Sequence, residues 1–143
     1  SKLKPCSVSL LCPSVGATEN IMLLMAKSDG ETVIRNAARE PEIVDLQDFL
    51  NLMGADIKGA GSDVIVINGV KSFMARDFEI MPDRIVAVTY MAAVAGCGGE
   101  ILLKGINLEH SSNVQFNFKG YRCRYKKNRR WSHNIYERPA QGG

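Results

Sequence analysis

The residues whose types and spacing best suit a chemical role lie early in the chain, in the segment PSVGATENIM at residues 13–22. A strand-like run, Ser7–Leu11, precedes this segment, and an apolar helical run, Ile21–Ala26, follows it. A turn of small residues between a strand and a helix presents backbone N–H groups that have no partner inside the helix. Those donors and the helix dipole favour a phosphate or a carboxylate. The segment therefore predicts an anion site, with a plain strand–helix turn capped by Ser14 as the alternative.

The cysteines and histidines show no spacing that is typical of a metal site. They are scattered along the chain, at Cys6, Cys12, Cys97, Cys123, His110 and His133. We therefore expect reduced thiols of a cytosolic protein, no metal and no cofactor. No apolar run is as long as a membrane span, and no signal peptide opens the sequence, so we expect a cytoplasmic protein without a membrane partner.

Hydrophobic periodicity and turn residues predict alternating strands and helices that would position the segment. The predicted strands are 2–11, 31–35, 55–58, 64–67 and 100–104, and the predicted helices are 18–27, 41–53 and 84–95. The expected buried face of the first helix consists of Ile21, Leu24 and Met25. The expected buried face of the second helix consists of Ile43, Leu46, Phe49, Leu50 and Met53.

The second part of the chain repeats the pattern of the first with a shift of 69 positions. The shift places Gly30 on Gly99 and Ile34 on Leu103. The repeated unit contains helix, strand, helix, strand and strand, and the boundary between the two copies falls near residues 81–83. The sequence therefore predicts two similar units in one chain.

Three segments together resemble one enzyme family. PSVGATENIM, AAREPEIVD at residues 37–45 and MPDRI at residues 81–85 are similar, in order and spacing, to the UDP-N-acetylglucosamine enolpyruvyl transferases (UDP-N-acetylglucosamine 1-carboxyvinyltransferases) over about residues 3–110. The resemblance implies an α/β (α+β) fold of two inside-out barrels, each built from three βαβαββ units with helices inside and sheets outside. Residues 1–81 would be the last unit of one domain, and residues 82–143 the first unit of the other. The related enolpyruvylshikimate-phosphate synthases share the fold, but the first two segments favour the sugar-nucleotide branch.

The resemblance implies a transferase that moves the enolpyruvyl group of phosphoenolpyruvate to the 3′-hydroxyl of UDP-N-acetylglucosamine, the first committed step of peptidoglycan synthesis. This reaction needs a general acid, a general base and cations around two phosphorylated substrates. By the resemblance, the family's reactive cysteine would precede this chain and its aspartate base would follow it. We therefore assign no catalytic residue here, and we expect an internal portion that is inactive without the missing transferase segments.

The resemblance also implies site residues. Pro13, Ser14, Val15 and Gly16 match the loop that the family places against the UDP moiety. Glu40 and Glu42 match acids at a helix start near the interdomain cleft, and stabilisation of the helix dipole is an equally good explanation for both of them.

Asp83 and Arg84 match the family's hinge motif, and a local ion pair that fixes the turn is the alternative. The family continues this motif with Glu, a small residue and Gly, where this chain has Val86, Ala87 and Val88. The departure removes an acid and a glycine from the hinge, which bears on domain closure.

Charge is distributed unevenly along the chain. Residues 1–109 hold ten Lys and Arg against fourteen Asp and Glu, whereas residues 110–143 hold eight against one, for a net charge of +3 overall. Tyr121, Tyr125 and Trp131 lie among these cations, a pattern that also suits single-stranded nucleic acid. A non-catalytic remnant or binding module that uses this basic tail is therefore the alternative function.

A shift of the reading frame explains the tail without a nucleic-acid partner. Residues 118–134, back-translated with A/T-rich codons and read one nucleotide later, give LKDIGVDIKKIEDGLII, which parallels LNLMGADIKGAGSDVIV at residues 50–66. We therefore hypothesise that residues 111–136 are translated out of frame, and we do not expect nucleic acid to be a partner. The coding DNA tests this hypothesis directly.

Overall fold

A computed structural model describes residues 3–107 and the backbone of two later strands, 124–127 and 133–138. The chain divides into two compact units, residues 1–81 and residues 82–143. The first unit contains β1 (Ser7–Ser9), α1 (Val15–Met25), β2 (Glu31–Arg35), α2 (Pro41–Leu52), β3 (Asp56–Lys58) and β4 (Val64–Asn68). The second unit contains α3 (Arg84–Cys97), β5 (Gly99–Lys104), β6 (Arg124–Lys127) and β7 (His133–Arg138).

The first unit contains a four-stranded sheet with the strand order β1-β2-β4-β3. β1 pairs with β2 in parallel, and Ser9 lies opposite Arg35. β2 and β3 both pair with β4 in antiparallel fashion. Only β1 and β2 run side by side in the same direction, so their carboxyl ends lie at the same edge of the sheet.

Both helices of the first unit contribute to one hydrophobic core with the inward residues of the sheet. Its most buried members are Met22, Met25, Ala26, Ile34, Ala37, Ala38, Ile43, Leu50, Ile57, Ile65 and Ile67. Along β2 and β4 buried residues alternate with half-buried or exposed ones, as expected for a sheet with one face on a core. The predicted buried face of α2 agrees with this core, since Leu46, Phe49 and Met53 pack against it.

Two predictions for the start of the chain need correction. The first strand covers three residues instead of the predicted ten, because β1 pairs with a β2 that is only five residues long. The first helix begins at Val15 instead of residue 18, because Ser14 caps it earlier than the apolar run indicates. Its buried side chains are those of Thr18, Met22 and Met25, whereas Leu24 is 54% exposed.

α2 begins and ends for local reasons that its sequence shows. Pro41 occupies its first turn, where the missing N–H costs nothing, and Glu42 supplies negative charge at the positive end of the helix dipole. Near its end, Asn51 donates its side-chain N–H to the Ile57 carbonyl at 2.8 Å and accepts the Ile57 N–H at 2.9 Å. These two bonds attach α2 to the edge strand β3.

The second unit packs α3 against a three-stranded sheet of order β5-β7-β6. Asp83 caps α3, and its carboxylate accepts the N–H groups of Ile85 at 2.8 Å and Val86 at 3.1 Å. The buried side of α3 is formed by Ala87, Met91, Val94 and Ala95. These positions are spaced four, three and one apart, the spacing of a single helix face.

A shift of 69 positions relates a strand pair of the first unit to a strand pair of the second unit. In the first unit Glu31 of β2 faces Asn68 of β4, and in the second unit Glu100 of β5 faces Glu137 of β7. The two pairings are therefore the same when one is shifted onto the other. The assignment of the two units to two different barrel domains stays a prediction.

Several predictions concern residues that the structure does not describe. Most of the segment that we infer to be out of frame, residues 111–123 and 128–132, lies outside the described residues, as do Tyr121, Trp131, Cys123 and His110. No helix in the described part of the chain is long and apolar enough to cross a membrane.

Candidate functional site

The carboxyl edge of the parallel strands β1 and β2 carries the first two sequence segments of the resemblance. A first loop, residues 10–14, leads from β1 into α1, and a second loop, residues 36–40, leads from β2 into α2. The beginnings of both helices therefore lie at one edge of the sheet. The carboxyl ends of parallel strands are the usual position of ligand sites in α/β sheets.

Ser14 forms the cap of α1 with both its side chain and its backbone. Its hydroxyl accepts the N–H of Ala17 at 3.3 Å, and its carbonyl accepts the N–H of Thr18 at 3.0 Å. The sequence alternative of an N-cap at Ser14 is thus confirmed. A hydroxyl that accepts one bond can still donate its own hydrogen, so the cap leaves Ser14 able to contact a ligand oxygen.

The amides of the two residues after Ser14 belong to the first turn of α1. Among the described residues, the N–H groups of Val15 and Gly16 have no hydrogen-bond partner, as expected for the first turn of a helix. α1 has no acidic side chain in its first turn, so no carboxylate there competes for the positive end of the dipole. Pro13 and Gly16 are exposed, and Ser14 and Val15 are half-buried.

Gly16 is not explained by the fold of the described chain. Its backbone does not adopt a positive φ, and a Cβ built on it would meet nothing within 4 Å. An alanine would therefore fit there without strain, and it would favour the helix more than glycine does. The glycine leaves open space directly beside the two amides without a partner.

The second loop places its acids at the start of α2. Glu40 is the N-cap residue, without a capping hydrogen bond from its side chain, and Glu42 lies in the first turn. Both side chains are half-buried. Their positions fit the helix-dipole explanation, and a role for them in a cleft stays a prediction. The neighbouring Arg39 lies 3.7 Å from Asp63, with both side chains more than half exposed, so this pair adds little stability.

Two side chains that the sequence analysis missed connect the loops. Thr18 is fully buried, and its hydroxyl accepts the Ala38 N–H of the second loop at 3.1 Å. Asn36 has a φ of 57° and donates its side-chain N–H to the carbonyl of Leu10 at 3.0 Å. Asparagine is among the few residues that tolerate this left-handed conformation. The spacing of residues 18, 22 and 25 on one helix face was the available signal for Thr18.

The other predicted residues, apart from Cys12 in the first loop, lie outside these loops in sequence. Asp83 and Arg84 belong to the second unit, where Asp83 acts as the cap of α3. A hinge at these residues remains a prediction. Cys6, Cys12 and Cys97 are free and exposed. Within the described residues, no three His, Cys, Asp or Glu side chains lie close enough to hold a metal ion together.

Solved enolpyruvyl transferases share this fold. The enolpyruvyl transferase NikO from Streptomyces tendae superposes with a TM-score of 0.75 and 22% identity, over 97% of this chain and 36% of that one. An EPSP synthase from Acinetobacter baumannii superposes with a TM-score of 0.63 and 19% identity, over 96% of this chain and 32% of that one. The architecture is thus that of the enolpyruvyl transferases, as the resemblance predicted.

The family is shown by sequence. The family model for EPSP synthase (3-phosphoshikimate 1-carboxyvinyltransferase) matches residues 1–119, and the chain belongs to this family. The match extends past residue 110, where the sequence analysis places the end of the resemblance.

Closer relatives carry the name UDP-N-acetylglucosamine 1-carboxyvinyltransferase. One from Carboxydothermus hydrogenoformans is 52% identical over 118 residues, which cover 82% of this chain and 28% of the relative. One from Symbiobacterium thermophilum is 53% identical over 113 residues, 79% of this chain and 26% of the relative. The chain thus spans about a quarter of the length of these relatives, and the resemblance to the sugar-nucleotide branch is confirmed.

Proposed function

We propose that this chain is a portion of a UDP-N-acetylglucosamine 1-carboxyvinyltransferase, and that its first loop contributes part of the sugar-nucleotide site. The complete enzyme would transfer enolpyruvyl from phosphoenolpyruvate to the 3′-hydroxyl of UDP-N-acetylglucosamine and release phosphate in the cytoplasm, in peptidoglycan synthesis. The identity of 52–53% to relatives with this name supports the substrate choice. The observation that carries the proposal is the pair of amides without a described partner at Val15 and Gly16, next to open space.

In this proposal the first loop binds the UDP moiety with neutral donors. The amides of Val15 and Gly16 donate to a phosphate oxygen, and the Ser14 hydroxyl donates to a second ligand oxygen while it still accepts the Ala17 N–H. Pro13 fixes the backbone that enters the cap. A bond from a neutral donor to a charged acceptor contributes about 1.5–3 kcal/mol, so the loop alone would bind weakly.

In this proposal the described residues supply binding groups, and we assign no general acid or base among them. None of the three described cysteines lies in the first turn of a helix or in a buried pocket. We therefore expect no turnover by the isolated chain in a coupled phosphate-release assay with both substrates. Measurable turnover would contradict this part of the proposal.

The site is tested by amide chemical-shift mapping of the full chain during a titration with UDP-N-acetylglucosamine. We expect shifts at residues 14–17, with a Kd of about 1 mM, equivalent to about −4.1 kcal/mol. Uridine diphosphate should shift the same amides, because the proposed contact is to a phosphate. N-acetylglucosamine alone is the control and should leave these amides unchanged. The proposal fails if the sugar nucleotide does not change the chemical shifts of the Val15 and Gly16 amides.

A further inference from the structure

We infer that Thr18 is a positioning residue of the proposed sugar-nucleotide site, because its buried hydroxyl joins the first turns of α1 to the second loop. This inference rests on the proposed function and extends it to a residue that need not touch the ligand. The described contacts form a path from the cap of α1 to Ala38 of the second loop through this side chain, in addition to the direct hydrogen bond from Asn36 to the Leu10 carbonyl.

The path begins at the cap of α1. The Ser14 carbonyl accepts the Thr18 N–H at 3.0 Å. The backbone of Thr18 is therefore bonded to the cap residue that directly precedes the amides of Val15 and Gly16. The Thr18 hydroxyl then accepts the Ala38 N–H at 3.1 Å. Thr18 and Ala38 both have 0% exposed surface, so water cannot replace this bond if it breaks.

The second loop also forms a hydrogen bond to the turn before β4. The Ala37 N–H donates to the Asp63 carbonyl at 3.1 Å, which attaches the second loop to the turn before β4. The Ala38 bond therefore joins this anchored loop to α1. Displacement of the loop would move the start of α2, where Glu40 and Glu42 lie.

The chain provides a matched control for this hydroxyl. Thr32 also has 0% exposed surface, and its hydroxyl accepts a backbone N–H, that of Cys6, at 3.3 Å. This bond also joins two segments that are 26 positions apart. Thr32 lies near the amino end of β2, however, at the sheet edge opposite the two loops. Loss of the hydrogen bond at Thr32 should lower stability without any change to the first and second loops.

The experiment compares three variants of the full chain, Thr18→Val, Thr18→Ser and Thr32→Val. Valine keeps the shape of threonine and removes the acceptor, whereas serine keeps the acceptor. The first measurement uses the ligand-free chain, in which Thr18→Val should shift the amides of residues 14–16 and 38–42. The second measurement is a titration with UDP-N-acetylglucosamine, in which Thr18→Val should bind about tenfold more weakly, equivalent to about 1.4 kcal/mol. Thr18→Ser and Thr32→Val should bind within about twofold of the unchanged chain, which is about 0.4 kcal/mol.

The outcomes separate positioning from a purely structural role. Equal losses of affinity in Thr18→Val and Thr32→Val, or a loss in Thr18→Ser as large as that in Thr18→Val, would overturn the inference. If Thr18→Val does not fold, unchanged binding by Thr18→Ser supports the inference. A tenfold loss of affinity in Thr18→Ser overturns the inference. If the unchanged chain does not respond to the sugar nucleotide, the proposed function fails. The ligand-free shifts then decide whether Thr18 couples the two loops.

Discussion

Replacement of Gly16 by alanine should make the protein more stable while it weakens sugar-nucleotide binding. Gly16 is the second residue of α1, its φ is not positive, and a Cβ there would meet nothing within 4 Å. The folded state therefore accepts the methyl group without strain. A compatible Gly→Ala replacement gains about 0.4–1 kcal/mol, because the unfolded chain loses conformational freedom.

The expected size of both effects follows from the structure. In a unit of 81 residues, 1 kcal/mol shifts the melting temperature by about 4–8 °C, so Gly16→Ala should raise it by about 2–8 °C. The same methyl group would fill the open space beside the amides of Val15 and Gly16. Loss of one hydrogen bond to a charged oxygen removes about 1.5–3 kcal/mol, which corresponds to binding that is about tenfold to a hundredfold weaker.

The assays are thermal denaturation followed by circular dichroism and amide shift mapping with UDP-N-acetylglucosamine. Gly96→Ala is the matched control. Gly96 lies in α3 of the second unit, and a Cβ there also meets nothing within 4 Å. This variant should leave binding unchanged. A Gly16→Ala protein that binds the sugar nucleotide as well as the unchanged chain would refute the assignment of ligand contacts to this helix start.

Three further predictions concern the scaffold around the site. Gly59→Ala should destabilise the first unit by about 1–3 kcal/mol, because Gly59 has a φ of 95° and a Cβ there would clash with the Val64 carbonyl oxygen. An unchanged urea midpoint would contradict this. Asn51→Leu removes both hydrogen bonds from α2 to β3 and should cost about 1–3 kcal/mol, visible as a lower urea midpoint with an unchanged slope. The hydrogen bond from Lys58, and a second one from the Asn68 side chain, lower the pKa of Asp56 below its usual 3.8. The carboxyl signal of Asp56 should therefore titrate below that pH, and Lys58→Met should raise the midpoint of this titration. A lowered pKa means that the contribution of Asp56 to stability is present above the unfolded-state value and disappears as the pH falls through the folded-state value.

Much of the fold was predictable because its signals are local. The strand at residues 31–35 and the start of α2 at Pro41 were predicted with the observed bounds. Both segments have a clear local cause, a short β-branched run in one and a proline followed by an acid in the other. Amides without a partner at the start of α1 were also predictable, because such amides are a property of any helix start.

The errors arose where a distant partner decides the outcome. Hydropathy predicted Leu24 in the buried face of α1, and the structure exposes it and buries Thr18 instead. A buried threonine is favourable only when its hydroxyl has a partner, and the partner, Ala38, lies 20 positions away. The length of β1 was wrong for a similar reason, since the extent of a strand depends on the neighbour with which it pairs.

The sequence by itself determined the family, the order of helices and strands as far as β5, and the presence of a strand–helix turn at the PSVGATENIM segment. These features depend on residue types within a few positions of one another. Only the tertiary structure decided that β1 and β2 run in parallel, so that the first and second loops lie at one sheet edge. It also decided that Thr18 and Asn36 join those loops. Hydrogen bonds between residues 20 and 26 positions apart exist only after the sheet has formed, so no local pattern specifies them.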